Sequence, residues 1–146
     1  MLDIQGAVWS RLSADATLLA LLATYADGPG TKALVSDPVP DNLLVTDTKP
    51  ICIVSAPLAN EADDSFTEDL RRADVSVRLY HKPGGSSLPL EQAAERVRTL
   101  IKTWPAGAIT GGSLLAATVS GPVVGPTDDP SLDGRVITAR LIIQET

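Results

Sequence analysis

The sequence predicts an α+β fold, with a mainly antiparallel sheet of four to five strands and helices packed on it. Residues 73–81 alternate between apolar and polar side chains, which is the period of a strand with one buried face. From Leu90 to Trp104, apolar residues recur at steps of three and four, the period of an amphipathic helix. A helix between strands buries such a stripe on a sheet face. A mixed sheet is the alternative arrangement.

The N-terminal helix is predicted from a cap and an apolar face. Asp3 can cap a helix whose apolar side chains, through Leu12, fall on one side. The segment 13–15 predicts a break, with a second cap ahead of Leu18. Residues 27–30 read Asp-Gly-Pro-Gly, and no helix continues through such a sequence.

The strands are predicted from apolar runs bounded by glycine and proline. Residues 33–35 form a short strand, and residues 51–58 form a strand apolar enough to be central in a sheet. We expect the latter to pair with 73–81 as an antiparallel hairpin. Two more strands, about 114–124 and 135–143, make a second hairpin. The central helix lies between the two hairpins.

The chain is predicted to be a single domain spanning residues 1–146. Its 146 residues are about one domain long, and 44% of them are hydrophobic. We find no repeat, and no linker long enough to divide the chain. Two acidic loops, near 59–70 and 125–134, are expected to be mobile.

Composition argues against nucleic-acid binding. The net charge is −6, so the chain gains nothing from the counterion release that dominates most DNA binding. Aromatic residues make up only 3% of the chain, which leaves little for base stacking. If the protein meets DNA, it should do so without gripping it.

Catalytic and cofactor-binding machinery is not found in the sequence. Zinc sites and Ser–His–Asp triads need histidines or cysteines in combination, and this chain has one of each. His81 is predicted to be a solvent-facing strand end, and Cys52 a small buried apolar residue. A lone cysteine fits a reducing compartment. No phosphate loop, nucleophile elbow or dinucleotide fingerprint occurs. We therefore expect no enzyme, no cofactor and no metal.

Two charged features leave alternatives open. The pairs Asp63-Asp64 and Asp128-Asp129 lie in loops that cannot shift a carboxyl pKa as glycosidases require, although a weak divalent-cation site is conceivable. Arg71-Arg72 is either a solvated strand start or an edge that forms salt bridges with a neighbouring subunit.

The order of these segments resembles a known family. The quoted stretches are Leu12-Ser13-Ala14-Asp15-Ala16 leading into 18–22, Lys49-Pro50-Ile51-Cys52-Ile53-Val54, the strand 74–80, the helix segment 93–97 and the closing strand 133–141. Together they resemble the tail terminator (tail completion) proteins of long-tailed bacteriophages and related phage-like particles. The resemblance covers nearly the whole chain but contains no diagnostic motif.

The resemblance implies a structural role in virion assembly. Such proteins form a homo-oligomeric ring, typically a hexamer, that caps the tail tube, stops its polymerisation and offers a surface for head–tail joining. The implied partners are further copies of the chain, the tail tube protein and a head-side connector or stopper. DNA would pass through without specific binding, and no membrane is involved. The implied place is the head–tail junction, after assembly in the bacterial cytoplasm.

Charged residues near strand edges are the candidates for contacts between subunits or for the lumen of the ring. We expect arginines of one subunit to meet carboxylates of the next. An acidic lumen would also repel phosphate and leave the passage open for DNA. The candidates are Arg71, Arg72, Arg78 and Arg140 on one side and Asp63, Asp64, Glu68 and Asp69 on the other.

Two alternative functions come from other classes. Another neck protein, such as a head completion, stopper or connector protein, shares the size, the acidity and the lack of chemistry. A small ligand-binding or regulatory domain unrelated to phage would need a pocket lined by aromatic and convergent polar groups. The few aromatic residues offer little for such a pocket, although aliphatic residues can also form one.

Overall fold

The computed structural model describes residues 2–24, 32–37, 49–57, 60–62, 70–82, 86–125 and 132–145. Three helices and seven strands occur in this part of the chain. In chain order they are α1 (Ile4–Ser13), α2 (Ala16–Leu21), β1 (Leu34–Ser36), β2 (Ile51–Val54), β3 (Asn60–Ala62), β4 (Leu70–His81), α3 (Leu88–Lys102), β5 (Gly107–Ile109), β6 (Gly112–Val124) and β7 (Asp133–Glu145).

Both predicted helix caps near the N-terminus are confirmed. The Asp3 carboxylate accepts a hydrogen bond from the backbone N–H of Gly6 at 2.9 Å, and Asp15 accepts one from Leu18 at 2.8 Å. Each carboxylate satisfies a donor that the first turn of a helix leaves unpaired. The break predicted at 13–15 therefore separates α1 from α2. The stop predicted at 27–30 lies outside the described residues.

The strands form one mixed sheet in the order β1-β2-β4-β7-β6-β5, and β3 pairs with β4 beside β2. Only the β1–β2 pair is parallel among the strands described. The sheet is six strands wide, so the predicted four to five strands were too few. β5 was missed because three residues, Gly107-Ala108-Ile109, are too short to show alternation. β3 was missed because it lies in the stretch predicted to be an acidic loop.

The two predicted hairpin pairings are confirmed. β2 runs antiparallel to β4 with Cys52 opposite Leu79, and β6 runs antiparallel to β7. β4 and β7 are paired over their full common length, from Leu70 opposite Gln144 to His81 opposite Asp133. This long central pair fixes which side chains share a face, because neighbouring residues of a strand point to opposite sides.

The core lies between the helices and one face of the sheet, called the helix face below. Odd-numbered residues of β4 and β7 point to this face, and the apolar side of α3 packs against them. The buried residues that α3 contributes are Leu90, Ala93, Ala94, Val97, Leu100 and Ile101. Arg96 binds the Asp15 carboxylate with two hydrogen bonds, at 2.7 and 2.8 Å, and so ties α3 to the start of α2.

The opposite face of the sheet, called the outer face below, is covered at one end only among the described residues. At the β1–β2 end, a second apolar cluster packs there, with Tyr80 against it; its members are Ala23, Ala33, Val35, Ile51 and Ile53. The buried residues of all three helices belong to the cluster on the helix face. Across β4, β7 and β6, the outer face therefore carries no helix within the described ranges.

Candidate functional site

Polar side chains occupy the outer face where β4, β7 and β6 lie side by side. Two cross-strand rows show the pattern: Asp74, Arg140 and Thr118 in one, Ser76, Thr138 and Ser120 in the next. They come from even-numbered positions; the odd-numbered neighbours are buried under the helices in β4 and β7 and partly buried in β6. The strand pattern that builds the core thus leaves a polar surface on the other side.

Three of the four candidate arginines share the outer face. Arg72 is exposed there, opposite Ile142 of β7. Arg78 donates to both carboxylate oxygens of Asp37, at 2.9 and 3.2 Å, and to the Ser55 hydroxyl at 3.0 Å. Arg71 points to the helix face, where it contacts Glu145 at 3.1 Å. The structure therefore separates Arg71 from the other three.

Arg140 has the most exposed side chain of the candidate arginines that form an ion pair in the structure. It donates to Asp74 on the neighbouring strand at 3.0 Å, and its side chain is 58% exposed. The hydrogen bond and the charge of Asp74 raise the pKa of the Arg140 guanidinium. An exposed pair of this kind adds little to folding and leaves donors available to another chain.

The acidic candidates Asp63, Asp64, Glu68 and Asp69 lie outside the described residues. The described strand nearest to them in the chain is β3, which pairs with residues 71–73 of β4. Their contact with arginines of another subunit stays a prediction.

His81 does not face solvent, so that prediction was wrong. The side chain is 1% exposed, and neither ring nitrogen has a hydrogen-bond partner among the described residues. The reason is that pairing between β4 and β7 continues to the last residue of β4, where His81 lies opposite Asp133. An odd-numbered position at this point still faces the helices. The end of β4, which was expected to be polar and exposed, therefore still belongs to the buried core.

Cys52 is buried, as predicted. Burial without any compensating charge raises the pKa of its thiol to about 12. The thiolate required for nucleophilic or redox chemistry is therefore scarce at neutral pH.

A groove of about 610 Å³ runs between α1 and residues 104–110, and sequence reasoning missed it. Both tryptophans line it, Trp9 from the helix and Trp104 from the segment after α3. The Trp9 indole N–H donates to the Leu34 carbonyl at 3.1 Å, and the Arg11 Nε donates to the Leu100 carbonyl at 3.1 Å. Both donors are thus hydrogen-bonded to backbone carbonyls of the chain and do not converge on a common point in the groove. A ligand site needs such convergent polar groups, so this groove gives little support to the ligand-binding alternative.

The described ranges contain neither a metal-binding cluster nor a membrane-spanning helix. Within those ranges, no group of three or more His, Cys, Asp or Glu side chains is placed to hold a metal ion. No helix of the described chain has the length and apolar character needed to cross a bilayer.

Of the comparisons with known proteins, only the one with solved structures gives a match, and the match is one of fold. No protein-family model and no curated protein sequence matches the chain. Among solved structures, a chain of a "virion of native gene transfer agent (GTA) particle" is similar, with a TM-score of 0.70 and 19% sequence identity. The match covers 97% of this chain and 94% of that one. At this level of identity, the likeness shows a shared fold.

Proposed function

We propose that this protein is a structural virion subunit, and specifically a tail terminator. It forms a ring that caps the tail tube, stops its polymerisation and provides the surface for joining the head. The observation that carries this proposal is the fold likeness to a chain of a gene transfer agent virion, which extends over 97% of this protein. The resemblance in segment order to tail terminator proteins supports the narrower assignment.

The proposed partners follow from this role. Copies of the chain form the ring, typically of six subunits, with the tail tube protein on one side and a head-side connector or stopper on the other. The place is the head–tail junction of the virion, reached after assembly in the bacterial cytoplasm. DNA passes through without specific binding, in keeping with the net charge of −6.

Contacts between arginines and carboxylates of adjacent subunits are the proposed charged part of the ring interface. Arg140 and Arg72 are the foremost arginine candidates because both lie exposed on the outer face. Arg71, Arg78 and Arg140 each bind a carboxylate of their own chain, so a neighbour would have to add to or replace that contact. The proposed acidic partners are Asp63, Asp64, Glu68 and Asp69.

Loss of the gene in a particle-producing host tests the role. A terminator is needed to end tube growth, so its loss should give overlong or headless tails in electron micrographs. Leaking heads beside tails of normal length would overturn the assignment and favour another neck protein, the stopper or connector alternative.

Complementation with charge variants tests the interface. The double variant D63K/D64K should lower particle yield and ring formation, because it places positive charge opposite the arginines. The control is E95K, which reverses a charge on the exposed side of α3. Equal yields from the two variants would remove these carboxylates from the interface.

A further inference from the structure

β6 is an edge strand without the charged side chains that commonly protect an edge from pairing with another chain. β5 pairs with its first three residues, 112–114, and beyond them β6 pairs only with β7 among the described strands. From 116 to 120, β6 stays in regular register with β7, between two irregularities of the ladder. The segment Ala116–Ser120 is called the open edge below. It presents unpaired backbone N–H and C=O groups along one side.

Natural edge strands are commonly protected by charged side chains, above all lysine. Here residues 103–127 contain no Asp, Glu, Lys, Arg or His. Leu115, just before the open edge, is 44% exposed. Pro122 limits pairing only beyond the end of this segment. An uncharged edge with free backbone groups fits one kind of occupant, which is another extended strand.

The opposite end of the same sheet supplies a strand of that kind. β3 pairs on one side with residues 71–73 of β4, and its other side is unpaired among the described strands. Two different free edges on one sheet permit a head-to-tail contact, in which each copy offers one edge to each neighbour. Such a contact repeats around an axis and closes into a ring when its rotation divides the circle.

Charge also favours β3 as the occupant. The sequence from β3 onward is acidic, with carboxylates at 61, 63, 64, 68 and 69. Arg140 lies one strand in from the open edge, so an added strand would run about 10 Å from it at normal strand spacing. Addition of a second β6 would bring no charge of opposite sign to Arg140.

We propose that the open edge of β6 pairs with β3 of a second copy, so that the sheet continues from subunit to subunit. This inference rests on the proposed self-assembly and names the surface that performs it. Main-chain hydrogen bonds supply the contact, and the carboxylates that follow β3 in the sequence are the proposed charge partners of Arg140.

Disulfide cross-linking tests the pairing directly. The native cysteine, Cys52, is buried and gives a silent background. Cysteine is introduced at Glu61 in β3 together with Ala116, Thr118 or Ser120 in turn, since a disulfide forms only between residues whose Cβ atoms come within about 4 Å. At least one of these variants should give a ladder of covalent oligomers on oxidation. E61C with Gln144→Cys, on a central strand, is the control and should give none.

Three outcomes would overturn the inference. Cross-linking of T118C to itself would show two-fold pairing of β6 with β6. No ladder in any of the three variants, including the case in which the chain stays monomeric, would exclude the contact. A ladder of equal strength in the Q144C control would show that the contact is unspecific.

A second measurement does not depend on register. A116K/T118K places lysines on the exposed face of the open edge, so the folded monomer should keep its circular dichroism while sedimentation shifts from assembly to monomer. Q144K adds a lysine on the same face of β7 and should still assemble. Assembly by A116K/T118K at the wild-type level would contradict the proposal. Normal tail lengths in the deletion host would overturn the terminator role. The cross-linking result would still decide whether β6 pairs with β3 of another copy.

Discussion

β7 carries two neighbouring residues, Leu141 and Ile142, that belong to different surfaces of the same sheet. Leu141 is fully buried against the helices, whereas Ile142 is 38% exposed on the outer face, between Arg72 and Ala116 of the neighbouring strands. The helix face is aliphatic and covered by the helices, whereas across β4, β7 and β6 the outer face is mainly polar and carries no helix in the described chain. The difference teaches that alternation along the central strands commits one face to the core and leaves the other face free for the proposed contacts between subunits.

The largest expected effect comes from removing side-chain volume on the helix face. L141A should lower the free energy of unfolding by about 3 kcal/mol, because it leaves a cavity between β4, β6 and α3. I142A, on the next residue, should cost about 1 kcal/mol or less. Urea denaturation monitored by circular dichroism measures both. Equal losses would mean that the outer face is also packed.

Asp15 joins two elements of the helix layer, so D15A should have the next largest effect, about 1–2 kcal/mol. The hydrogen bond from Arg96, aided by that from Leu18, holds the pKa of the Asp15 carboxyl below its usual value. A lowered folded pKa means that this stability is present above the unfolded pKa and is lost as pH falls through the folded pKa.

The difference between wild type and D15A should therefore be full at neutral pH and shrink in acid, below about pH 4. Denaturation curves across this range measure it. D3A serves as the control. It removes the cap of α1, and since no arginine is described in contact with Asp3, its loss of unfolding free energy should be smaller. A D15A difference that stays constant down to pH 2 would contradict the assignment.

His81 lies where the helix face ends, and H81L should stabilise the protein by about 1 kcal/mol. The imidazole nitrogens are buried without a partner in the described structure, and an apolar side chain of similar size removes that desolvation cost. Thermal denaturation detects the change as a higher Tm. A clear loss of stability in H81L would show that the imidazole forms an interaction that matters to the fold.

The smallest effect on folding is expected at Arg140. R140Q breaks an exposed ion pair with Asp74, and its Tm should be indistinguishable from wild type. Its assembly, measured by sedimentation, should nonetheless weaken if the outer face meets a neighbour's carboxylates. The control is R98Q on α3, whose exposed pair with Glu95 lies away from the sheet edge. Equal assembly of both variants would separate Arg140 from the interface.

Much of the fold could be predicted because its signals are local. The alternation at 73–81 and the carboxylates of Asp3 and Asp15 act on residues within a few positions. β5 and the burial of His81 could not be predicted, since both depend on where distant strands end. Trp104 was included in the helical stripe, yet it lies past the end of α3 and packs partly against the core.

The candidate surface was only partly predictable for the same reason. The arginines could be named from their charge, but strand register decides that Arg71 faces the helices and Arg140 does not. The open edge exists because β5 begins only at Gly107, opposite Leu114, and three residues are too few to show a strand pattern. The one signal of the open edge in the sequence is the absence of charged residues from 103 to 127. That absence points to an unprotected edge only once β6 is known to be an edge strand.

The placement of both tryptophans in one groove has a spectroscopic consequence. Trp9 and Trp104 are the only indoles in the sequence, and both report on the space between α1 and the start of β5. Intrinsic fluorescence will therefore follow the docking of the N-terminal helix, and it should stay nearly unchanged when subunits join through the open edge of β6. An emission change that accompanies assembly would instead place the groove itself between subunits.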